Sequence, residues 1–125
     1  MLIEALGARV RFLEPAEHDG QVAGVNQLPY VASVALMNTV AGGLAWGDAA
    51  MLAGIGFSDV TRLAAGNPEM NRDICLANSE AMTHWLNQYI SALTEIRDRI
   101  AVHDSSLDQA FARAQQLRSA MAGNI

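Results

Sequence analysis

The chain of 125 residues contains no lysine. Its eight positive charges are all arginine, Arg9, Arg11, Arg62, Arg72, Arg97, Arg99, Arg113 and Arg118, which excludes a lysine Schiff base or a lysine general base from its chemistry. Cysteine is almost as scarce: Cys75 stands alone and can close no internal disulfide, so a reducing compartment is expected. The three histidines, His18, His84 and His103, are scattered and offer no zinc-ligand spacing, so no metal site is expected. Basic charge is short overall, with a net charge of -5 and a pI near 4.9. That argues against nucleic acid or an anionic membrane surface as partner, since either needs a basic face. A long apolar run is also missing. The stretch from Val31 to Met51 is interrupted by Asn38, Thr39, three glycines and Asp48, which is too broken for a membrane span. The start, MLIEALGARV, carries Glu4 and lacks a basic leader, unlike a signal peptide. These absences together lead to the expectation of a cytoplasmic chain.

What is present favours helices. Aromatic residues make up only 6% of a chain that is 51% apolar, and Ala and Leu lead its composition. The length suits one domain. Met1 to Leu6 reads as the end of a helix stopped by Gly7. Arg9 to Leu13 (RVRFL) then alternates with the period of a strand, but nothing later in the chain has strand character to pair with it. It is therefore expected to pair with another chain, or to be the last strand of a sheet outside these residues. Pro15 starts a helix with Glu17 and Asp19 in its first turns. This helix is expected to kink at Pro29, which lacks an N–H and should push Leu28 away from helical angles. Asn26, Gln27 and Tyr30 gather at the bend, which makes it either a ligand-facing wall or a core kink whose polar groups satisfy the loosened backbone.

Beyond the kink, Tyr30 to Val40 is apolar on nearly all sides and ends at Gly42 and Gly43, so its burial is easiest to arrange between two subunits. Trp46 to Gly56 reads as a short helix. Ser58 is a candidate N-cap for a two-turn helix that Gly66 ends, and Asn67 with Pro68 opens the next. From Met70 the stripe recurs at three- and four-residue steps through Ile74, Ala77, Ala81, Trp85, Gln88/Tyr89, Leu93, Ile96 and Ile100, giving one helix about 50 Å long by its rise per residue. Glu95 and Arg99 form a favourable i,i+4 pair. Ser106 with Gln109 is a capping box for a last helix expected to end at Gly123.

Chemistry-bearing motifs are few. There is no G-x-G-x-x-G or Walker A loop, so the chain offers no nucleotide cradle of its own. His84 and His103 read as surface or partly satisfied histidines. His18 lies at a helix start beside Glu17 and Asp19, where it is either functional or simply solvated. Arg62 sits among small apolar residues, Val60, Leu63, Ala64 and Ala65. A guanidinium in such a place binds a carboxylate or phosphate, or else pairs internally with Asp59 or Asp73.

The order of pieces is distinctive: LGARVRFL, then P-x-E-H-D, an L-P-Y kink, G-F-S-D-V-T-R, N-P-E-M and D-I-x-x-x-N. Together they resemble the C-terminal part of the prephenate dehydrogenase and arogenate dehydrogenase family, from Leu6 to about Met121. The resemblance implies an all-α helical bundle with one long helix, like the C-terminal domains of the 6-phosphogluconate dehydrogenase group, forming an intertwined homodimer. It implies that residues 1–13 end a nucleotide-binding Rossmann domain, with RVRFL as a leftover strand, and that residues 14–125 form the dimerisation and substrate-cleft domain. NAD or NADP and the catalytic histidine belong to the Rossmann domain, so this chain alone is expected to bind no cofactor. The family chemistry is hydride transfer coupled to decarboxylation of a cyclohexadienyl substrate. Arg62 matches the family arginine that binds a substrate carboxylate, and His18 matches the histidine of the H-D motif. Gln27 and Tyr30 occupy the two histidine places of a common S-H-L-P-H pattern, Asn26 stands where Ser is usual, and Asn71 stands where Trp is usual. These departures motivate a second expectation, a non-enzymatic dimeric domain that senses a ligand or binds a partner at the kink.

Overall fold

The computed structural model describes residues 2–122, and among them every regular element is helical. The order is α1 (Leu2–Ala5), α2 (Pro15–Val22), a π-helical turn (Ala23–Gln27), α3 (Leu28–Ala41), α4 (Trp46–Leu52), α5 (Ile55–Thr61), a 3₁₀ turn (Arg62–Ala65), α6 (Pro68–Ala77), α7 (Ser79–Ala101) and α8 (Leu107–Ala122). The chain divides into two compact units, Met1–Leu86 and Asn87–Ile125, with the residues of α7 shared between them. None of the described helices is long and apolar enough to cross a membrane.

Several expectations hold. Gly7 takes a left-handed φ of 81° and closes α1, with Gly7 N–H donating to Glu4 O and Ala8 N–H to Ile3 O, the paired bonds of a Schellman end. Pro15 opens α2 and Gly42 caps α3. Asn67 caps α6, its Oδ1 accepting from Met70 N–H at 2.9 Å. Arg99 reaches Glu95 at 2.7 Å. The end expected at Gly123 lies outside the described residues.

Residues 9–13 belong to no regular element here and Phe12 is 90% exposed; the strand is expected to pair with a sheet outside these residues, and none of the described residues supplies a hydrogen-bonding neighbour. Other expectations are corrected. Pro29 does not break the helix by displacing Leu28, which keeps helical angles of φ -58° and ψ -45°. The carbonyl that the proline ring would strike, that of Val25, lies in the π turn. Its wider i+5 bonding accommodates both the ring and the missing N–H. The single long helix is interrupted at Asn78, at φ -123° and ψ 38°. There the Asn78 amide donates to Asp19 O at 2.9 Å, a side-chain bond to backbone of the kind that competes with helix continuation. Ser58 is not an N-cap. α5 begins three residues earlier after an extended Gly54, which brings Phe57 to 6.1 Å from Trp46 between ring centroids.

The N-terminal end of α8 is held by Asp104 rather than by a Ser106 to Gln109 box. Asp104 Oδ1 accepts from Ser106 N–H at 2.9 Å. The Ser106 hydroxyl and this backbone N–H, with Arg99 adding a smaller attraction, hold the exposed carboxyl below the usual carboxylate range. Just before it, His103 takes a left-handed φ of 54°, with His103 N–H donating to Ile100 O and Asp104 N–H to Arg99 O. This is a second Schellman end, here without glycine.

In the first unit α3 packs against the 3₁₀ turn, α5 and the π turn, and the π turn packs against α6. Trp85 Nε1 donates to Gly20 O at 2.8 Å, close to where the helix passes from i+4 to i+5 bonding and a carbonyl is left short of a donor. Gly24 is required beside it. A Cβ there would lie 2.7 Å from Trp85 Cε2. Of all described residues only Ala23, Ser33 and Met82 are buried. Large apolar side chains stay open in both units, among them Leu44, Met51, Leu52 and Ile55 in the first and Ile90, Leu93, Phe111 and Leu117 in the second. An apolar groove of about 550 Å³ runs along α7 past Ile90, Thr94 and Val102. The chain exposes 10010 Å², whereas two separate compact bodies of these sizes would together expose about 7,700 Å² by the usual scaling.

Candidate substrate cleft

The expected site residues, His18, Asn26, Gln27, Tyr30 and Arg62, all lie in the first unit, on α2, the π turn, α3 and the 3₁₀ turn. Arg62 opens the 3₁₀ turn that follows α5 directly. Its side chain is exposed and forms no hydrogen bond or ion pair among the described residues. Neither carboxylate suggested by the sequence takes it: Asp73 sits 3.0 Å from Arg72 Nε, and Asp59 forms no ion pair among the described residues. The turn itself is fixed. Ala64 N–H donates at 3.0 Å to Ser33 Oγ, a hydroxyl in the apolar middle of α3 that is 1% exposed.

Tyr30 is half-buried on α3 and lines a groove of about 210 Å³ together with Asn71, Arg72 and Cys75. Gly66 closes over it, since a Cβ there would stand 3.3 Å from Tyr30 Cε2 and 3.1 Å from Asn71 Nδ2. Asn71 is anchored in turn by donating to Asn67 O at 2.8 Å. Gln27, at the end of the π turn, lines a second groove of about 250 Å³ with Asp19, Ile74 and Asn78. Its Oε1 is buried and accepts no hydrogen bond. A buried acceptor without a donor costs roughly 1–3 kcal/mol, so a donor brought to this place would be well received. Both grooves border α6, which places Gln27 and Tyr30 on neighbouring surfaces.

His18 and Asn26 are not drawn into either groove. Both are exposed, and His18 Nδ1 lies 3.3 Å from Asp19 Oδ1. Sequence reasoning missed Ser33, Gly24, Asn78 and Trp85, the residues that hold this region in shape. The available signal was slight: a lone hydroxyl in an apolar helix, and a glycine and an asparagine inside helical runs. No group of His, Cys, Asp or Glu among the described residues could hold a metal ion.

The fold is shared with part of the solved structures of arogenate and prephenate dehydrogenases. The arogenate dehydrogenase structure from Synechocystis matches with a TM-score of 0.89 and 28% identity over 96% of this chain and 45% of that one. The prephenate dehydrogenase from A. aeolicus, solved with hydroxyphenyl propionate and NAD+, matches with a TM-score of 0.84 and 27% identity over 94% of this chain and 42% of that one. The family described as prephenate dehydrogenase, dimerization domain, matches residues 14–118, and the chain belongs to it. A cyclohexadienyl dehydrogenase from Zymomonas mobilis is 31% identical over 122 residues, 94% of this chain and 41% of that protein. A prephenate dehydrogenase from Bacillus subtilis is 28% identical over 119 residues, 92% of this chain and 32% of that protein. The chain thus spans about two fifths or less of the curated relatives it matches.

Proposed function

We propose that this chain supplies the dimer interface and one wall of the substrate cleft for a cytoplasmic prephenate or arogenate dehydrogenase of tyrosine biosynthesis. The observation that carries this reading is the exposed guanidinium of Arg62, without a hydrogen bond or ion pair among the described residues and on an anchored turn, at the position that matches the family's carboxylate-binding arginine. A bidentate arginine suits a carboxylate of a cyclohexadienyl substrate. Gln27 and Tyr30 would offer neutral hydrogen-bonding groups to the same substrate, with Asn26 and His18 at its rim. The grooves at Tyr30 and Gln27, about 210 and 250 Å³, fall below the 300–1,000 Å³ or so typical of small-molecule sites. The cleft is therefore completed by a second surface, a Rossmann domain whose last elements are residues 1–13.

This chain contributes binding and orientation, with no catalytic residue of its own. NAD or NADP belongs to the Rossmann domain, whose strand, glycine-rich turn and helix unit fits a dinucleotide. When bound there, the nicotinamide supplies the hydride acceptor. The uncovered apolar faces of both units and the groove along α7 are the surfaces a second copy covers. Sedimentation at micromolar concentration should give a dimer, and a monodisperse monomer refutes that part.

The test of function joins or co-expresses the chain with its upstream coding region and follows NAD and NADP reduction with prephenate and with arogenate. Turnover that falls at least a hundredfold in Arg62→Ala, at unchanged dimer content, supports the reading. A folded dimer with no turnover on either substrate refutes it in favour of a binding domain.

A further inference from the structure

We propose that Ser33 is the positioning residue for Arg62, an inference that rests on the reading of Arg62 as a carboxylate-binding group. Ser33 is the only buried polar residue described, in a helix segment whose neighbours Ala32 and Val34 are apolar. Its one hydrogen bond spans 31 residues, from Ala64 N–H to Ser33 Oγ at 3.0 Å. The place it reaches is specific. At Arg62 the chain passes from α5 into the 3₁₀ turn, and an N–H at such a junction is easily left without a backbone acceptor. Ser33 supplies one. Gly66 N–H donates to Leu63 O at 3.0 Å and closes the far side of the same turn.

The consequence is mechanical. Arg62 stands two residues before Ala64, so the direction of its backbone follows the orientation of the turn. No hydrogen bond or ion pair of the guanidinium with described residues holds it from the other end. A long, unpaired arginine side chain has considerable rotamer freedom. The fixed Ser33 bond is then what limits where it can reach, and preorganisation of this kind appears as affinity for the ligand.

The test uses the chain in its native polypeptide, with hydroxyphenyl propionate as the probe ligand in calorimetry. The variants are Ser33→Ala, Arg62→Ala and the double variant. Ser33→Ala keeps helix propensity and loses one oxygen, so folding is expected, and circular dichroism checks it. The expected result is a roughly tenfold loss of affinity in Ser33→Ala, the size of one buried hydrogen bond, with faster hydrogen exchange at the Ala64 amide. In the Arg62→Ala background the same substitution should change affinity less than twofold, because the group it positions is gone. A merely structural role for Ser33 would weaken binding equally in both backgrounds, and that result overturns the proposal. So does unchanged affinity in Ser33→Ala while Arg62→Ala binds poorly. If Arg62→Ala itself binds as well as the parent, the reading of Arg62 fails and this inference falls with it.

Discussion

Substituting Gly24 by alanine tests whether the π turn is locked by its contact with Trp85. The added Cβ would stand 2.7 Å from Trp85 Cε2, 2.9 Å from Cζ2 and 3.1 Å from Nε1. Carbon atoms in ordinary contact keep about 3.5–4.0 Å, so the ring must withdraw by close to 1 Å. It is not free to do so, because its Nε1 donates to Gly20 O at 2.8 Å. Withdrawal lengthens that bond, which contributes about 1 kcal/mol, and overpacking adds about 1–3 kcal/mol. Against this, alanine in a helix is favoured over glycine by roughly 0.5–1 kcal/mol. The contact wins, and the net loss is about 1–3 kcal/mol. For a domain of this size the melting temperature should fall by roughly 5–15 °C, measured at fixed protomer concentration because association shifts it. Trp85 fluorescence should shift in parallel. Gly20→Ala in the neighbouring helix is the control, since nothing lies within 4 Å of its added Cβ. It should leave stability unchanged or raise it slightly. A Gly24→Ala protein that melts at or above the parent temperature, with its tryptophan emission unaltered, refutes the reasoning.

Three further outcomes are expected. His103→Gly should raise stability by about 1 kcal/mol, because His103 is held at a left-handed φ of 54° that costs a side-chain-bearing residue roughly this much. Chemical denaturation reads it, and a midpoint below that of the parent counts against it. Asp104 is held below the ordinary carboxylate range by its bonds from Ser106. A carboxyl depressed on folding contributes stability above its unfolded pKa that is lost as pH falls through the folded value. Acid titration of the α7 to α8 corner, followed by amide exchange at Ser106, should therefore show loss of protection in the parent and a flatter profile in Asp104→Asn. Identical profiles would rule that out. If the proposed function holds, Arg62→Ala should cut turnover at least a hundredfold without shifting the melting temperature by more than about 2 °C, as expected of an exposed side chain with no hydrogen bond or ion pair among the described residues.

Local rules account for much of what was legible in advance. Proline at a helix start, glycine at a left-handed end and asparagine at a cap act within a few residues, so Pro15, Gly7, Gly42 and Asn67 marked their boundaries correctly. The ordered motifs around Arg62, Gln27 and Tyr30 pointed to the family that the comparisons then showed. Failures came where a distant group decided the outcome. The helix break at Asn78 comes where its amide reaches Asp19 across 59 residues. The start of α5 moved forward where Phe57 meets Trp46.

The stretch from Pro15 to Ala41 shows the division most plainly. Its sequence alone determined that it is helical and apolar, and that polar groups cluster near Pro29, because propensity and periodicity are properties of neighbouring residues. Only tertiary structure decided that the irregularity is a π turn, with the Trp85 indole donating beside it and Gly24 leaving room for its ring. Only tertiary structure showed that Ser33 Oγ accepts from Ala64 N–H in the turn of Arg62, and that Arg62 has no hydrogen bond or ion pair among the described residues. The physical reason is the same in each case. A hydrogen bond between residues far apart in sequence exists only once packing has brought them together.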